Sequence, residues 1–454
     1  MIFLLRKNRI ERGKCMLNKK ILKLILNVNH TIIDDIVYFE DVDSIVFYAH
    51  PTKGEQCRCG ICGKKAIYYD AGHGTKENPE KRLWRSIDLG THKAYICADT
   101  YRVKCKEHGV ITCAFPWAHH NSRFTIDFEN TITWLSLNCS KKAISQFTRV
   151  SWNTVGPVIS RVKAELDINP EHRFDNLKCI GIDETSYRKG HKYMTVIVNH
   201  DTGSVIWVSP GFGSDVLSSF FELLSEEQRA SIELVAADGA KWIKSCIEKY
   251  CPNATRCIDP FHVVEWINDA LNKVRIEAWN DARKKSENNP KPKRKPGRPK
   301  AGEPKKPDEA SKIKHTKYAL GKNPENLTVK QQATLDLIAK TDNRLWRGYK
   351  LKETLRTVFQ LPYEEAVEAL DKWIKWAQHC RIPAFVELQK KIRRHYDALL
   401  ATLKYHISNA QTEAINNKIK LAIRMAYGFR NLENMVSMVM LKCSDIVVPL
   451  PWAW

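Results

Sequence analysis

Lys178-Cys-Ile-Gly-Ile-Asp-Glu-Thr-Ser186 decides how the rest of the chain is read. A short apolar run, Cys179 to Ile182, ends in a carboxylate at Asp183. Downstream, Tyr193–Val198 and Val205–Val208 are β-branched runs separated by His200-Asp-Thr-Gly203, a turn signal. A helix is expected over Val216–Leu224. A strand, Glu233-Leu-Val-Ala-Ala-Asp238, and a helix, Lys241–Tyr250, come next. Thr255-Arg-Cys-Ile-Asp259 reads as the last strand, and a long helix starts near Phe261.

The order is therefore three strands, a helix, a strand, a helix, a strand and a helix. It matches the ribonuclease-H-like α/β fold, a mixed sheet flanked by helices. Asp183 and Asp238 each end an apolar strand, which is where open α/β sheets form sites. Two acids on neighbouring strands suit a pair of hard divalent cations, Mg²⁺ or Mn²⁺, on a phosphodiester. An aspartate at a strand end also simply starts a turn. Two of them in this strand order, in a strongly basic chain, favour the metal reading. Asp259, at the end of the next strand and followed by His262, is the rival for the second acid.

The chain has 454 residues, room for about three domains. With 43% hydrophobic residues it can bury a sizeable core. A formal charge of +22 calls for a polyanionic partner, and double-stranded DNA is the expected one. No window approaches the ~20 uninterrupted apolar residues of a spanning helix, so no membrane is expected. Met1–Leu5 is apolar but charge follows it, the reverse of a signal peptide, and Met16 competes with Met1 as the start. The protein reads as intracellular, cytoplasmic and nucleoid-associated. Its 14 cysteines then point to metal ligation and plain burial rather than disulfides.

Working towards the N-terminus, Phe124–Leu166 is helical in its periodicity, with a break near Arg149-Val150-Ser151. It divides into two helices and has a helix–turn–helix layout. Ala143, Ile144 and Phe147 lie on the first helix, and Trp152, Asn153 and Thr154 in the first turn of the second, where base edges are read. Pro157 is unusual inside such a helix, and a plain helical hairpin fits as well. Residues 51–120 hold Cys59-Gly-Ile-Cys62 and Cys105-Lys-Glu-His108, two pairs spaced for a structural Zn²⁺ site, with Cys57 and Cys113 as spare ligands.

Towards the C-terminus, residues 284–316 hold 12 Lys/Arg, 4 Asp/Glu and six prolines, which cannot pack a core. Within it Lys293-Arg-Lys-Pro-Gly-Arg-Pro-Lys300 has an AT-hook-like Gly-Arg-Pro core, with Lys295, Arg298 and Lys300 as DNA contacts. A non-specific basic tether fits the same residues. Residues 409–426 read as an amphipathic helix. Ile415, Ile419, Ala422 and Ala426 lie on one face, and Glu413, Asn417, Lys420 and Arg424 on another.

Gly181-Ile-Asp-Glu-Thr-Ser186, Asp259-Pro-Phe-His-Val263 and Ser408-Asn-Ala-Gln-Thr-Glu-Ala-Ile-Asn-Asn417, followed by Lys420, Arg424 and Tyr427-Gly-Phe-Arg430, resemble the ISL-three family of bacterial insertion-sequence transposases. The resemblance spans nearly the whole chain and implies a DDE acid triad, here Asp183, Asp238 and Glu413. It gives Asp259 and His262 a supporting role; Lys420 and Arg424, on the Glu413 face of the helix, are expected to neutralise backbone phosphates. It also implies an N-terminal cysteine module, although the family usually has cysteine where this chain has His108. The implied reaction is cleavage at transposon ends and joining of 3′ ends to target DNA, by a homodimer on DNA. A non-catalytic DNA-binding regulator and a ribonuclease-H-like nuclease are the alternatives.

The expected organisation is an N-terminal segment (1–50), a zinc-finger-like module (51–120) and a helix–turn–helix domain (121–170). The catalytic core begins at 175–275. It is interrupted by a basic proline-rich linker (276–316) and a helical insertion (317–405). It resumes in the C-terminal catalytic helix and tail (406–454).

Overall fold

A computed structural model describes residues 19–75, 77–78, 80–288, 309–407, 410–450 and 452. Met1, Met16 and the AT-hook-like string with Lys295, Arg298 and Lys300 lie outside the described residues. The chain divides into two units, Met1–Pro170 with Ile419–Trp454, and Glu171–Lys418.

In the first unit, helix α1 (Lys19–Leu26) precedes strands β1 (Thr31–Phe39), β2 (Ser44–Pro51), β3 (Ile67–Asp70), β4 (Glu80–Arg85), β5 (Lys93–Thr100), β6 (Arg102–Cys105) and β7 (Gly109–Thr112). One sheet has the order β1-β2-β5-β4 and a smaller one β3-β6-β7. β2 and β5 pair in parallel, from Ser44 opposite Lys93 to Tyr48 opposite Cys97, so 1–50 and 51–120 share a sheet. Phe47, Trp84 and Ile96 fill the core between them, with Phe115 packed on Trp84 at 4.5 Å between ring centroids.

Three helices follow, where the periodicity predicts two: α2 (Ile126–Asn138), α3 (Lys141–Thr148) and α4 (Trp152–Leu166). The extra break falls at Ser140, whose Oγ accepts from the Ala143 N–H and caps α3. The turn into α4 passes through Arg149 in the left-handed region (φ 58°). Ile144 is buried on α3 but Phe147 is exposed, so Phe147 is not part of the apolar face that the spacing suggests. Val155, Val158, Ile159 and Val162 form the inner face of α4. The C-terminal helix, Leu432–Cys443, lies against that face. A Cβ on Gly156 would stand 2.4 Å from Asn434 Nδ2, and Ser160 Oγ donates to Asn434 Oδ1 at 2.7 Å. Pro157 is on the exposed side, where the Asn153 carbonyl that it leaves without an N–H partner can face water.

In the second unit β8 (Cys179–Arg188), β9 (Lys192–Asn199) and β10 (Ser204–Pro210) form an antiparallel meander. α5 (Ser214–Phe221), α6 (Glu226–Ala230), β11 (Leu234–Ala237), α7 (Lys241–Tyr250), β12 (Thr255–Ile258) and α8 (Pro260–Asn288) follow. The sheet order is β10-β9-β8-β11-β12, with β8, β11 and β12 parallel. Ile180 and Ile182 point into a core with Val235, Phe220 and Ile247. α8 runs 29 residues, so residues 276–288, expected in the linker, are its end.

The stretch 317–405 is helical, as expected. α9 (Glu309–Lys314), α10 (Lys317–Gly321), α11 (Val329–Thr341), α12 (Asn343–Val358), α13 (Tyr363–His379), α14 (Pro383–Arg394) and α15 (Tyr396–Tyr405) pack with α8 around Trp373, Leu345, Leu351 and Phe385. α16 (Ala410–Met425) crosses the boundary between the units within its own length.

Candidate active site and metal knuckle

Alternation along β8 sends Ile180 and Ile182 to the core and Gly181 and Asp183 to the other face. Gly181 stands opposite Ala236 in β11, and Ala236 opposite Cys257 in β12. Two residues further on, the same register brings Asp183, Asp238 and Asp259 level. Neighbouring strands lie about 4.8 Å apart. Asp183 is not the end of its strand, since β8 continues to Arg188 against β9. Its pairing with β11 stops at Gly181, and it is half-buried on that edge.

Asp259 is committed to the backbone. Its Oδ1 accepts from the Phe261 N–H at 3.1 Å in the first turn of α8. Asp238 makes a similar turn, with Oδ1 accepting from the Ala240 N–H at 2.8 Å, and it also acts electrostatically on Asp183. Burial raises the pKa of Asp183, and Asp238 adds to it. The Glu184 N–H, His262 and Asn416 oppose it. His262 thus lies within electrostatic reach of the acids, with its Nδ1 3.5 Å from Glu265.

Sequence reasoning missed Glu184. Burial, then Asp238 and Asp183, push its carboxyl up to about 7, and its Oε1 is buried with no partner. A carboxylate next to Asp183 in the quoted string was the available signal.

α16 approaches β8 because Gly181 has no side chain. A Cβ there would stand 2.3 Å from His200 Nε2 and 2.7 Å from Thr412 Oγ1. Four residues along α16, Asn416 Nδ2 donates to Asp183 Oδ2 at 2.5 Å. Four residues of helix rise about 6 Å and two of strand about 6.7 Å, so the two elements run in step. The buried face of α16 contains Thr412, Ile415, Asn416 and Ile419. The asparagine at the acid is Asn416, not Asn417, which is exposed with Lys420 and Arg424. Glu413 is exposed on the first turn, three residues before Asn416. Positions three apart on a helix are neighbours, about 5–6 Å between Cβ atoms.

The second cluster is closed. The ligand atoms of Cys59, Cys62, Cys105 and His108 all lie within 4.8 Å of one another. Cys59 Sγ and Cys105 Sγ are each 3.7 Å from His108 Nδ1, and Cys62 Sγ is 3.8 Å from Cys105 Sγ. Zn–S bonds of about 2.3 Å in a tetrahedron require sulfurs about 3.8 Å apart. The backbone N–H groups of Glu107 and His108, then the His108 ring, lower the Cys105 thiol to about 6. This is a candidate metal site that uses His108. Cys113 is buried beside Cys59, with which its backbone forms a β-bridge, but it is not among the four clustered ligands. Among the described residues no three carboxylate oxygens come as close together as these ligands.

In the helix–turn–helix, Trp152 and Asn153 are exposed and Thr154 half-buried at the start of α4, with Lys141 Nζ 5.5 Å from the Trp152 ring centre. Asp88 accepts from both Arg85 and Arg149 and holds the turn. Among the described residues no helix is long and apolar enough to cross a membrane.

A transposase family model matches residues 180–439, and the model of the helix-turn-helix domain of transposase family ISL3 matches residues 113–162. The chain is 43% identical over 442 residues to the transposase for insertion sequence element IS1557 of two Mycobacterium tuberculosis strains, covering 96% of this chain and 98% of the relative. It is 23% identical over 394 residues to the transposase for insertion sequence element IS1001 of Bordetella parapertussis, covering 86% and 89%. Coverage this complete, with the acid-bearing strands and the helix–turn–helix both inside the matched residues, means that the chain belongs to the transposase family ISL3.

Proposed function

We propose that this DDE transposase binds transposon-end DNA, cleaves a phosphodiester there and joins the freed 3′ end to target DNA, with Asp183, Asp238 and Glu413 as its acid triad. The observation that carries this reading is the register that brings Asp183 and Asp238 level on adjacent parallel strands, with α16 docked over them through Asn416. The order of three antiparallel strands and then two parallel ones supports a ribonuclease-H-like core, with the helices of 317–405 as an insertion in it.

The acids fit divalent ions of the Mg²⁺ or Mn²⁺ kind. Asp183 and Glu184 are carboxyls whose ionised forms are penalised by burial and by neighbouring carboxylates, Asp238 for both and Asp183 for Glu184, and Glu184 Oε1 is a buried oxygen without a partner. Two such ions, when held there, activate the attacking oxygen and stabilise the leaving one. Asp183 and Asp238 offer oxygens side by side. Glu413 reaches in from α16, and Asn416 orients Asp183. In the first step water attacks the end phosphodiester and a 3′-hydroxyl leaves. That hydroxyl then attacks a target phosphodiester in a direct exchange, with no covalent link to the protein. His262 and Asp259 support the site, and Lys420 and Arg424 contact backbone phosphates.

Zn²⁺ fits the Cys59, Cys62, Cys105 and His108 cluster as a structural ion. Trp152, Asn153 and Thr154 are the base-reading residues of the helix–turn–helix. Bringing two transposon ends together calls for a homodimer on DNA, inside the cell.

Alanine at each acid, assayed for strand transfer on end-bearing DNA with Mg²⁺, tests the triad. Full activity in any one variant removes that residue from it. Glu184 is a specific rival for the third place, because it is half-buried beside both aspartates whereas Glu413 is exposed. Loss of activity in Glu184→Ala with full activity in Glu413→Ala would decide for Glu184.

A further inference from the structure

Beside Asp238 the second unit gathers positive charge that no carboxylate closely neutralises. Arg256 Nη2 donates to the Asp238 carbonyl at 2.6 Å, and Arg256 Nε is buried without a partner. Gly239 makes room for an indole, since a Cβ there would stand 2.8 Å from Trp266 and 3.5 Å from His395 Nε2. Lys391 Nζ is 3.6 Å from the centre of the Trp266 ring, and the His395 ring is 5.5 Å from it. Lys391 and Arg394 come from the last turn of α14, and His395 from the joint to α15. Lys244 comes from the start of α7, a helix whose N-terminus has no side-chain cap.

Among the described residues, none of Arg256, Lys391 and Arg394 has a carboxylate oxygen within 4.0 Å. Lys244 reaches only Glu248 of its own helix, at 3.6 Å. The surrounding acids act from further away: Glu265, Asp238 and Asp269 on Lys391, and Asp238 and Glu248 on Arg256. Burial, then Arg256, Lys391, Arg394 and Lys244, hold the His395 ring down at about 4. Elements far apart in sequence thus bring Arg256, Lys391 and the His395 ring together around Gly239 and Trp266, with Arg394 and Lys244 within electrostatic reach of that ring. Arg256 and Lys391 are half-buried and Lys244 and Arg394 exposed, so the group is open to an anionic partner from outside the protein.

We propose that this basic cluster binds a backbone phosphate of the DNA strand that passes Asp238, with Lys391 and Arg394 as its main ligands and Arg256 and Lys244 completing the field. DNA is preferred to free phosphate because the cluster adjoins the acid-bearing strand ends of a chain with charge +22. Naming that strand rests on the function proposed above.

The test uses the full chain and a generic duplex, without added divalent metal, and follows the binding constant against KCl concentration. Each phosphate that the protein no longer neutralises makes the log–log slope shallower by about 0.9. Arg394→Gln should therefore flatten the slope by about 0.9, and the Lys391→Gln/Arg394→Gln pair by about twice that, on the same principle. Arg394 is exposed, so its variant should fold even if Lys391→Gln disturbs Trp266. Lys375→Gln, exposed on α13, is the control for bulk charge. Slopes equal to wild type in both cluster variants, or an equal flattening in Lys375→Gln, would overturn the site. Asp183→Asn should keep the wild-type slope while losing cleavage, so the cluster and the triad can fail separately.

Discussion

The cysteine knuckle and the carboxylate site answer the same electrostatic problem in opposite ways. In the knuckle, backbone N–H groups and a histidine lower the Cys105 thiol to about 6, and four ligands meet within 4.8 Å. At the sheet, burial and then the Asp238 carboxylate raise both Asp183 and Glu184, and among the described residues no three carboxylates come as close together as the knuckle ligands. The first is a closed set that suits a permanent structural ion. The second keeps positions open, as a site that must also admit a substrate does.

Removing the metal proposed for the knuckle should break the comparison most severely. Because ligand binding and folding are coupled in such modules, Cys59→Ser or strong chelation should abolish cooperative unfolding of the N-terminal module. Zinc content measured beside near-ultraviolet circular dichroism checks this; a module that stays folded without metal contradicts it. At the sheet, Asp183→Asn should leave the melting curve nearly intact but lower end cleavage by about 10³-fold or more, since each 1.36 kcal/mol of lost transition-state stabilisation is tenfold. A variant that instead unfolds would make Asp183 structural, like the knuckle cysteines.

Smaller effects sharpen how the open site is held. Gly181→Ala forces a Cβ onto Thr412 and His200, an overpacking that costs about 1–3 kcal/mol. Its melting temperature should fall together with cleavage, and an unchanged melt would mean that α16 does not rest on β8. Asn416→Ala removes a hydrogen bond to a carboxylate, about 1.5–3 kcal/mol. Asn417→Ala, on the exposed face, should stay within about 0.5 kcal/mol of wild type. Chemical denaturation of the pair tells which asparagine supports Asp183.

The difference between the regions also separates what could be read early from what could not. Spacing alone named Cys59, Cys62, Cys105 and His108, because a knuckle is two short local pairs. The strand order around Asp183 was legible for the same local reason: apolar runs, turn signals and helices follow one another without interruption from 178 to 261. The extra break at Ser140 was missed because an N-cap leaves the apolar period unchanged. Phe147 was misjudged because an exposed aromatic can share a helix's spacing. Asn416 and Asn417 are neighbours in sequence, and only the docking of α16 decides which one turns inward.

By itself, then, the sequence carried the family, most of the elements and the candidate residues of both sites, since each depends on residues close together in the chain. Tertiary structure decided the rest: that Asp183 and Asp238 stand level, that Gly181 admits a helix more than two hundred residues away, that Glu184 is a half-buried neighbour, and that Arg256 and Lys391 come together beside Asp238. Those relations depend on strand register and helix docking, and no local spacing encodes either.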